Sequence, residues 1–210
     1  ALFAHPERIP EIEAKSFLNP EYKIEDTQAA LDGAKFILME RFSEDAILLR
    51  QLKRYLWEHG NIQSQGVEAE KLKGEKFQDY FDYCEAISKV PSHRAMALFR
   101  GRNEGVLNIA LVAQDFDASD RLAVNPCESQ IAAHFCIEDK GRAADKWLRE
   151  VVRWTWRVKL NMHLETEMLG NLREASEKVA IDVFADNIES GFAKAGNGKS
   201  LRDFCISPFV

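Results

Sequence analysis

The sequence predicts a mainly α fold: a multi-helix domain with helical hairpins, one or two long C-terminal helices and a small β element. Three observations lead there. Eleven Gly and six Pro among 210 residues is about 8%, against a usual ~12%, so the chain is poor in turn formers. Apolar residues recur at helical spacing over several long stretches, which is the primary signal of amphipathic helices. One segment, Val106 to Val112, is rich in β-formers and apolar on both faces, and it is the best strand candidate.

The first 30 residues carry six acids and three bases, and Pro6, Pro10 and Pro20 interrupt regular structure. A helix is predicted from Thr27 to Phe42, capped by Asp26 or Thr27. Its apolar positions Ala30, Leu31, Ala34, Ile37, Leu38 and Phe42 share one face. Ser43 reads as a second N-cap, with Glu44 and Asp45 complementing the helix dipole. That helix ends at His59, with Gly60 at C′, so the two form a helical hairpin. Asn61 to Val67 suits a short strand. Residues 75–88 are predicted helical and contain the aromatic cluster Phe77, Tyr80, Phe81 and Tyr83.

After Pro91, Ser92 is read as the cap of a helix reaching about Arg100. Gly101 and Gly105 then free the backbone to turn into the Val106 strand. A polar loop follows from Asp115 to Asn125, then a helix near Glu128 to Ile137 and a turn at Gly141. From Ala143 to about Ile188 the pattern is helical and free of proline. Two helices are expected there, broken near Asn161 or kinked near Gly170. From Gly191 the composition changes to three glycines and few apolar residues.

Composition excludes several function classes. A hydrophobic fraction of 46% is ordinary for a globular chain and rules out wholesale disorder. No apolar run approaches the ~18 residues of a membrane-spanning helix, and no secretory leader opens the chain. Net charge −6 argues against a uniformly basic nucleic-acid coat, though local patches remain open. Cys84, Cys127, Cys136 and Cys205 form no C-x-x-C pair and lack a His at zinc-finger spacing. They read as reduced, buried core thiols of a cytoplasmic protein.

The helix at 143–159 is the most informative local feature. Ala144, Trp147, Leu148, Val151, Trp154, Thr155 and Val158 fall on one face. Arg142, Lys146, Arg149, Arg153 and Arg157 fall opposite, within about 80° of arc. Such a stripe could track phosphates. The competing reading is a solvated or salt-bridged face, for which the seven acids of residues 161–190 would supply partners. Trp147 and Trp154 are expected in the core, while Trp156 projects away from the apolar face. The helix at 44–58 repeats the pattern, with Arg50, Lys53 and Arg54 opposite Leu48, Leu52, Tyr55 and Leu56. A second cluster of Lys89, Arg94, Arg100 and Arg102 suits an anion or, preferably, an acidic neighbouring domain.

Other motifs yield no chemistry. Ser92 and His93 are helix neighbours pointing apart, so they cannot act as nucleophile and base. Asp115 to Asp120 lacks the Gly and Glu that a calcium loop needs. Asp79, Asp82 and Glu85 are read as a solvent-facing row on one helix. Ala193 to Ser200 matches a relaxed phosphate-loop pattern with no room for the required sheet.

Several segments together resemble the Tex family of bacterial transcription accessory proteins. The most specific runs from Ile87 to Leu107, centred on Pro91-Ser92-His93-Arg94-Ala95-Met96-Ala97-Leu98-Phe99-Arg100-Gly101-Arg102-Asn103-Glu104-Gly105. Lys76 to Tyr83, Gly33-Ala34, Ser43 to Ala46, Leu164 to Glu167 and Ala180 to Asn187 are similar to further family segments. The resemblance covers residues 1–188, and 189–210 read as a divergent, flexible tail. It implies that this is an interior helical region of a longer protein. In the family a helix-turn-helix-like region comes before it. An RNase H-like domain, helix-hairpin-helix motifs and an OB-fold domain come after, and those later modules are the main nucleic-acid binders. No catalytic residue carries over.

The implied function is a non-catalytic, cytoplasmic helical scaffold that needs no cofactor or metal. It would support RNA or DNA binding weakly through Arg142, Lys146, Arg149, Arg153, Arg157, Arg94, Arg100 and Arg102. The transcription machinery is a further partner, and a membrane is not. The alternative is a protein-interaction scaffold that docks neighbouring domains without touching nucleic acid.

Overall fold

The computed structural model describes residues 1–70, 74–114 and 124–195, the last five as helical backbone alone. Helices dominate, with one small sheet. Helix α1 spans Pro10–Ala14, α2 Thr27–Ser43, α3 Ala46–His59, α4 Ser92–Asn103, α5 Pro126–His134, α6 Asp145–Trp154 and α7 Asn161–Ala195. Strands β1 (Gly60–Gly66), β2 (Asp82–Ala86) and β3 (Leu107–Ala113) form an antiparallel sheet in the order β2–β1–β3.

Local chemistry sets most boundaries. Asp26 caps α2 by accepting a 2.7 Å hydrogen bond from the Ala29 amide. Asp45, not Ser43, caps α3, accepting from the Ile47 and Leu48 amides at 3.0 and 2.8 Å. Ser43 instead ends α2, and its hydroxyl donates to the Glu40 carbonyl at 2.9 Å. The main packing partners of the two helices differ: α2 lies on α1, α6 and the segment after α6, and α3 lies on α5.

Gly60 leaves α3 with φ −92°, so it is not the left-handed stop expected from sequence. Its requirement is space: a Cβ there would lie 2.2 Å from the Leu56 carbonyl oxygen. Gly101 and Gly105 divide their work in a similar way. Gly105 makes the turn, with φ +74°. Gly101 lies inside α4, where a Cβ would press on the Leu107 side chain at 2.5 Å. Pro91 takes the N-cap position of α4, and Ser92 is its first helical residue with no capping bond from its side chain.

The predicted helix at 75–88 is replaced by a 3₁₀ stretch, Glu75–Tyr80, followed by β2 and a second 3₁₀ turn, Ile87–Lys89. Strand pairing overrides the helical period here. The Gly66 amide donates to the Phe81 carbonyl at 2.9 Å, and aromatic residues suit the pleated surface. Asp79, Asp82 and Glu85 therefore share no helix.

The long C-terminal pattern breaks just before Asn161, and the break is a π-helical segment, Thr155–Leu160. An i→i+5 turn holds one more residue than an α turn. The buried series Ala144, Leu148, Val151, Thr155 would otherwise continue at positions 158 and 162. It continues instead at Leu160 and Leu164. Val158 and Met162 are thrown outward, and Trp156 is carried inward to 5% exposure, the reverse of what an unbroken helix gives. Beyond it, α7 is continuous through Gly170 and Gly191.

The chain divides into two compact units. One comprises Ala1–Gln63, Cys84–Ser88 and Ala110–Met168. Its core holds Phe42, Leu48, Leu52, Leu56, Ile131, Leu148, Val151, Leu160 and Leu164. The other comprises Ser64–Tyr83, Lys89–Ile109 and the chain from Leu169 onward, with Phe77, Ala95, Leu98, Val106 and Leu107 at its centre. Among the described cysteines only Cys127 is a core thiol, and burial pushes it up to about 12 with help from the Glu128 charge. Cys84 and Cys136 are exposed, contrary to expectation. Cys205, the Asp115–Asp120 loop and most of Ala193–Ser200 lie outside the described residues.

Candidate nucleic-acid interface

Lys146, Arg149 and Arg153 project from the regular turns of α6, and Arg157 from the π segment. All four are exposed, and Arg142 is half-buried in the loop before α6. The stripe read from sequence is therefore continuous, but most of it is already occupied. Asp145 holds Arg142: Nε and Nη2 reach Oδ1 at 2.9 and 2.8 Å. The Lys140 and Arg142 amides donate to Oδ2 of the same carboxylate at 2.8 and 2.9 Å. Arg149 meets Asp139 at 2.8 Å. Arg153 and Arg157 converge on Glu128 at 3.7 and 3.3 Å. Lys146 pairs with no carboxylate among the described residues.

The counter-charges come from α5 (Glu128), the α5–α6 loop (Asp139) and the first turn of α6 (Asp145) rather than from the acidic run after Asn161. In the stripe's own unit, Glu167 of that run pairs with Lys53 at 2.5 Å. Among the described residues the five cations pair with three carboxylates, which leaves about two positive charges of the stripe unpaired. A groove of about 1010 Å³ runs beside it, lined by Ala132, Ala133, Ile137 and Val152 and by both charges, Lys146, Arg149 and Arg153 with Glu128, Glu138, Asp139 and Glu150.

Asp145 and Glu128 are the anchoring groups that the sequence reading missed. Asp145 was findable, because an acid in the first turn of a helix three residues after an Arg is a common pairing. Glu128 carries no local signal: it is only 8% exposed and meets arginines 25 and 29 positions away. The Arg142 guanidinium, with the two backbone amides, holds the Asp145 carboxyl down at about 2. A lowered folded-state value stabilises above the unfolded value of ~3.9 and is lost as pH falls toward about 2. We expect the midpoint difference between the wild type and Asp145→Asn to be full at pH 5 and to shrink steadily below pH 4 in thermal melts.

The second cluster is less of a cluster. Lys89, Arg94, Arg100 and Arg102 are all exposed, but α4 is regular, so Arg94, Arg100 and Arg102 spread over about 200° of its circumference. Arg100 contacts Glu104 at 2.9 Å, and Glu104 also takes Lys76 at 2.7 Å. The Lys76 and Arg100 side chains hold the Glu104 carboxyl below its usual range. On α3, Arg50 and Arg54 are exposed while Lys53 is engaged by Glu167. Among the described residues no three His, Cys, Asp or Glu side chains gather where a metal could sit, and no helix is long and apolar enough to cross a membrane.

Residues 5–184 match a family model described as Tex central region-like. The chain is 47% identical over 188 residues to Protein YhgF of Escherichia coli (strain K12), covering 89% of this chain and 24% of that protein. It is 45% identical over 198 residues to the Transcriptional accessory protein Tex of Neisseria gonorrhoeae, covering 94% and 25%. It is 42% identical over 197 residues to Protein tex of Bordetella pertussis, covering 90% and 24%. The chain thus spans about a quarter of the length of these curated relatives. With the match running through nearly every described element, the chain belongs to the Tex central region-like family.

Proposed function

We propose that this chain is the non-catalytic helical scaffold of a Tex-like transcription accessory protein, contributing weak electrostatic contacts to RNA or DNA from the cytoplasm. The observation that carries the reading is the residual charge of the α6 stripe: about two positive charges left unpaired among the described residues. Each phosphate contact on a single strand adds about −0.7 to the slope of log K against log salt. Two charges give about −1.4, roughly a seven-fold loss between 50 and 200 mM salt. Five free cations would give about −3.5, a loss of roughly a hundred-fold. The pairing geometry thus argues for a modest contributor rather than a principal binding site.

Titrating labelled single-stranded RNA at the two salt concentrations tests this. The α6 contribution is expected near the lower slope, and replacing Arg149, Arg153 and Arg157 with Glu should remove it. Binding that ignores salt, or that ignores the triple replacement, would sink the reading.

A protein-docking scaffold is the second reading, and one observation favours it. Val179, Ile181, Val183, Phe184 and Ile188 are 41–67% exposed on more than one side of α7, apolar side chains that a docked partner would cover. Absence of any nucleic-acid binding at 50 mM salt would leave this reading in place.

A further inference from the structure

The α6 stripe spends its guanidiniums on carboxylates, but α3 does not. On this regular helix Trp57, Arg50 and Arg54 fall within about 60° of arc, spaced about 10 Å along the axis from Arg50 to Trp57. Both arginines are exposed, and Trp57 is 46% exposed. Among the described residues neither guanidinium meets a carboxylate, and no ring packs on the indole. Lys53, one position from Arg54, shows the contrast, because its ammonium is engaged by Glu167. The opposite side of α3 is anchored through Leu48, Leu52 and Leu56, all buried, so the three outward side chains stand on a rigid element.

A half-exposed indole alone is ordinary. An indole beside two unpaired guanidiniums on one helix face is the combination that single-stranded nucleic acid uses. The ring offers a π-face on which a base stacks, and the arginines track the flanking phosphates. Glu58 borders the face beyond Arg54 and is turned toward His59 at 4.0 Å. It marks the acidic limit of the surface. We propose that Trp57, Arg54 and Arg50 form a single-strand binding surface, with Trp57 as the stacking platform. This rests on the reading that the region contacts nucleic acid, and it adds a base-stacking contact on α3 to the charge contact of α6.

The test is fluorescence anisotropy of the full chain with labelled 12-nucleotide probes: single-stranded RNA, single-stranded DNA, an abasic strand and a duplex. Trp57→Ala should weaken the base-bearing single strands by roughly 5- to 150-fold and leave the abasic strand and the duplex unchanged. Trp57→Phe should restore most of the loss. Arg50→Gln with Arg54→Gln should flatten the salt slope on every single strand by about 1.4. The ratio between the RNA and DNA arms assigns the natural strand. Equal losses on base-bearing and abasic strands, or an unchanged salt slope in the double variant, would overturn the proposal. Wild type that binds no probe at 50 mM salt would overturn the proposed function with it, whereas wild-type binding indifferent to Trp57 overturns the α3 surface alone.

Discussion

Phe42→Ala should destabilise the protein by about 3–5 kcal/mol, a fall in thermal midpoint of roughly 6–20 °C for a chain of this size. Phe42 is fully buried. Its ring stacks on Phe135 with centroids 3.9 Å apart and meets Phe3 at 5.8 Å. Removing it empties the contact between the end of α2, the end of α5 and the N-terminal residues at once. Those three segments are distant in sequence, so none can close the gap by a local adjustment. Ile37→Ala is the control: Ile37 is on the same helix but mostly exposed, and its loss should stay within about 0.5 kcal/mol. Comparable midpoints for the two variants would mean that the aromatic stack is not central to this core.

Glu128→Gln should act in two opposite directions. The substitution removes the one carboxylate that Arg153 and Arg157 share. Both guanidiniums keep more than half their surface in water, so the stability loss should be only about 1 kcal/mol. The charge on the α6 face rises by one, so the salt slope for single-stranded RNA should steepen by about 0.7. Calorimetry and anisotropy on the same variant read the two effects separately. A slope that stays flat would show that the arginines make no contact with nucleic acid even when released.

Helices α2, α3 and α5, strands β1 and β3 and the turn at Gly141 could be read from residues alone, because their caps and periods are local. Asp26, whose carboxylate accepts from the Ala29 amide, states a helix start without help from the rest of the chain, although the helix buries Leu31, Met39 and Phe42 and leaves Ile37 of the expected apolar face in solvent. The 75–88 segment could not be read in this way. Its aromatic spacing fits a helix, and only the partner strand at Gly66 decides for β2. The π segment is similar. Nothing near Thr155 announces an extra residue in the turn, yet it reverses the roles of Trp156 and Val158.

The candidate site divides along the same line. Sequence by itself determined the helical class, the family and the existence of a cationic stripe, because propensity, period and motif are properties of neighbouring residues. Tertiary structure alone decided which of those cations are spoken for. Glu128 reaches Arg157 across 29 positions, and Lys53 finds Glu167 across 114. Charge neutralisation depends on distance in space, falling off over a few ångströms, and a linear sequence does not carry that distance. For that reason the basic helix conspicuous in the sequence is largely self-neutralised. On the less conspicuous α3, Arg50 and Arg54 meet no carboxylate among the described residues.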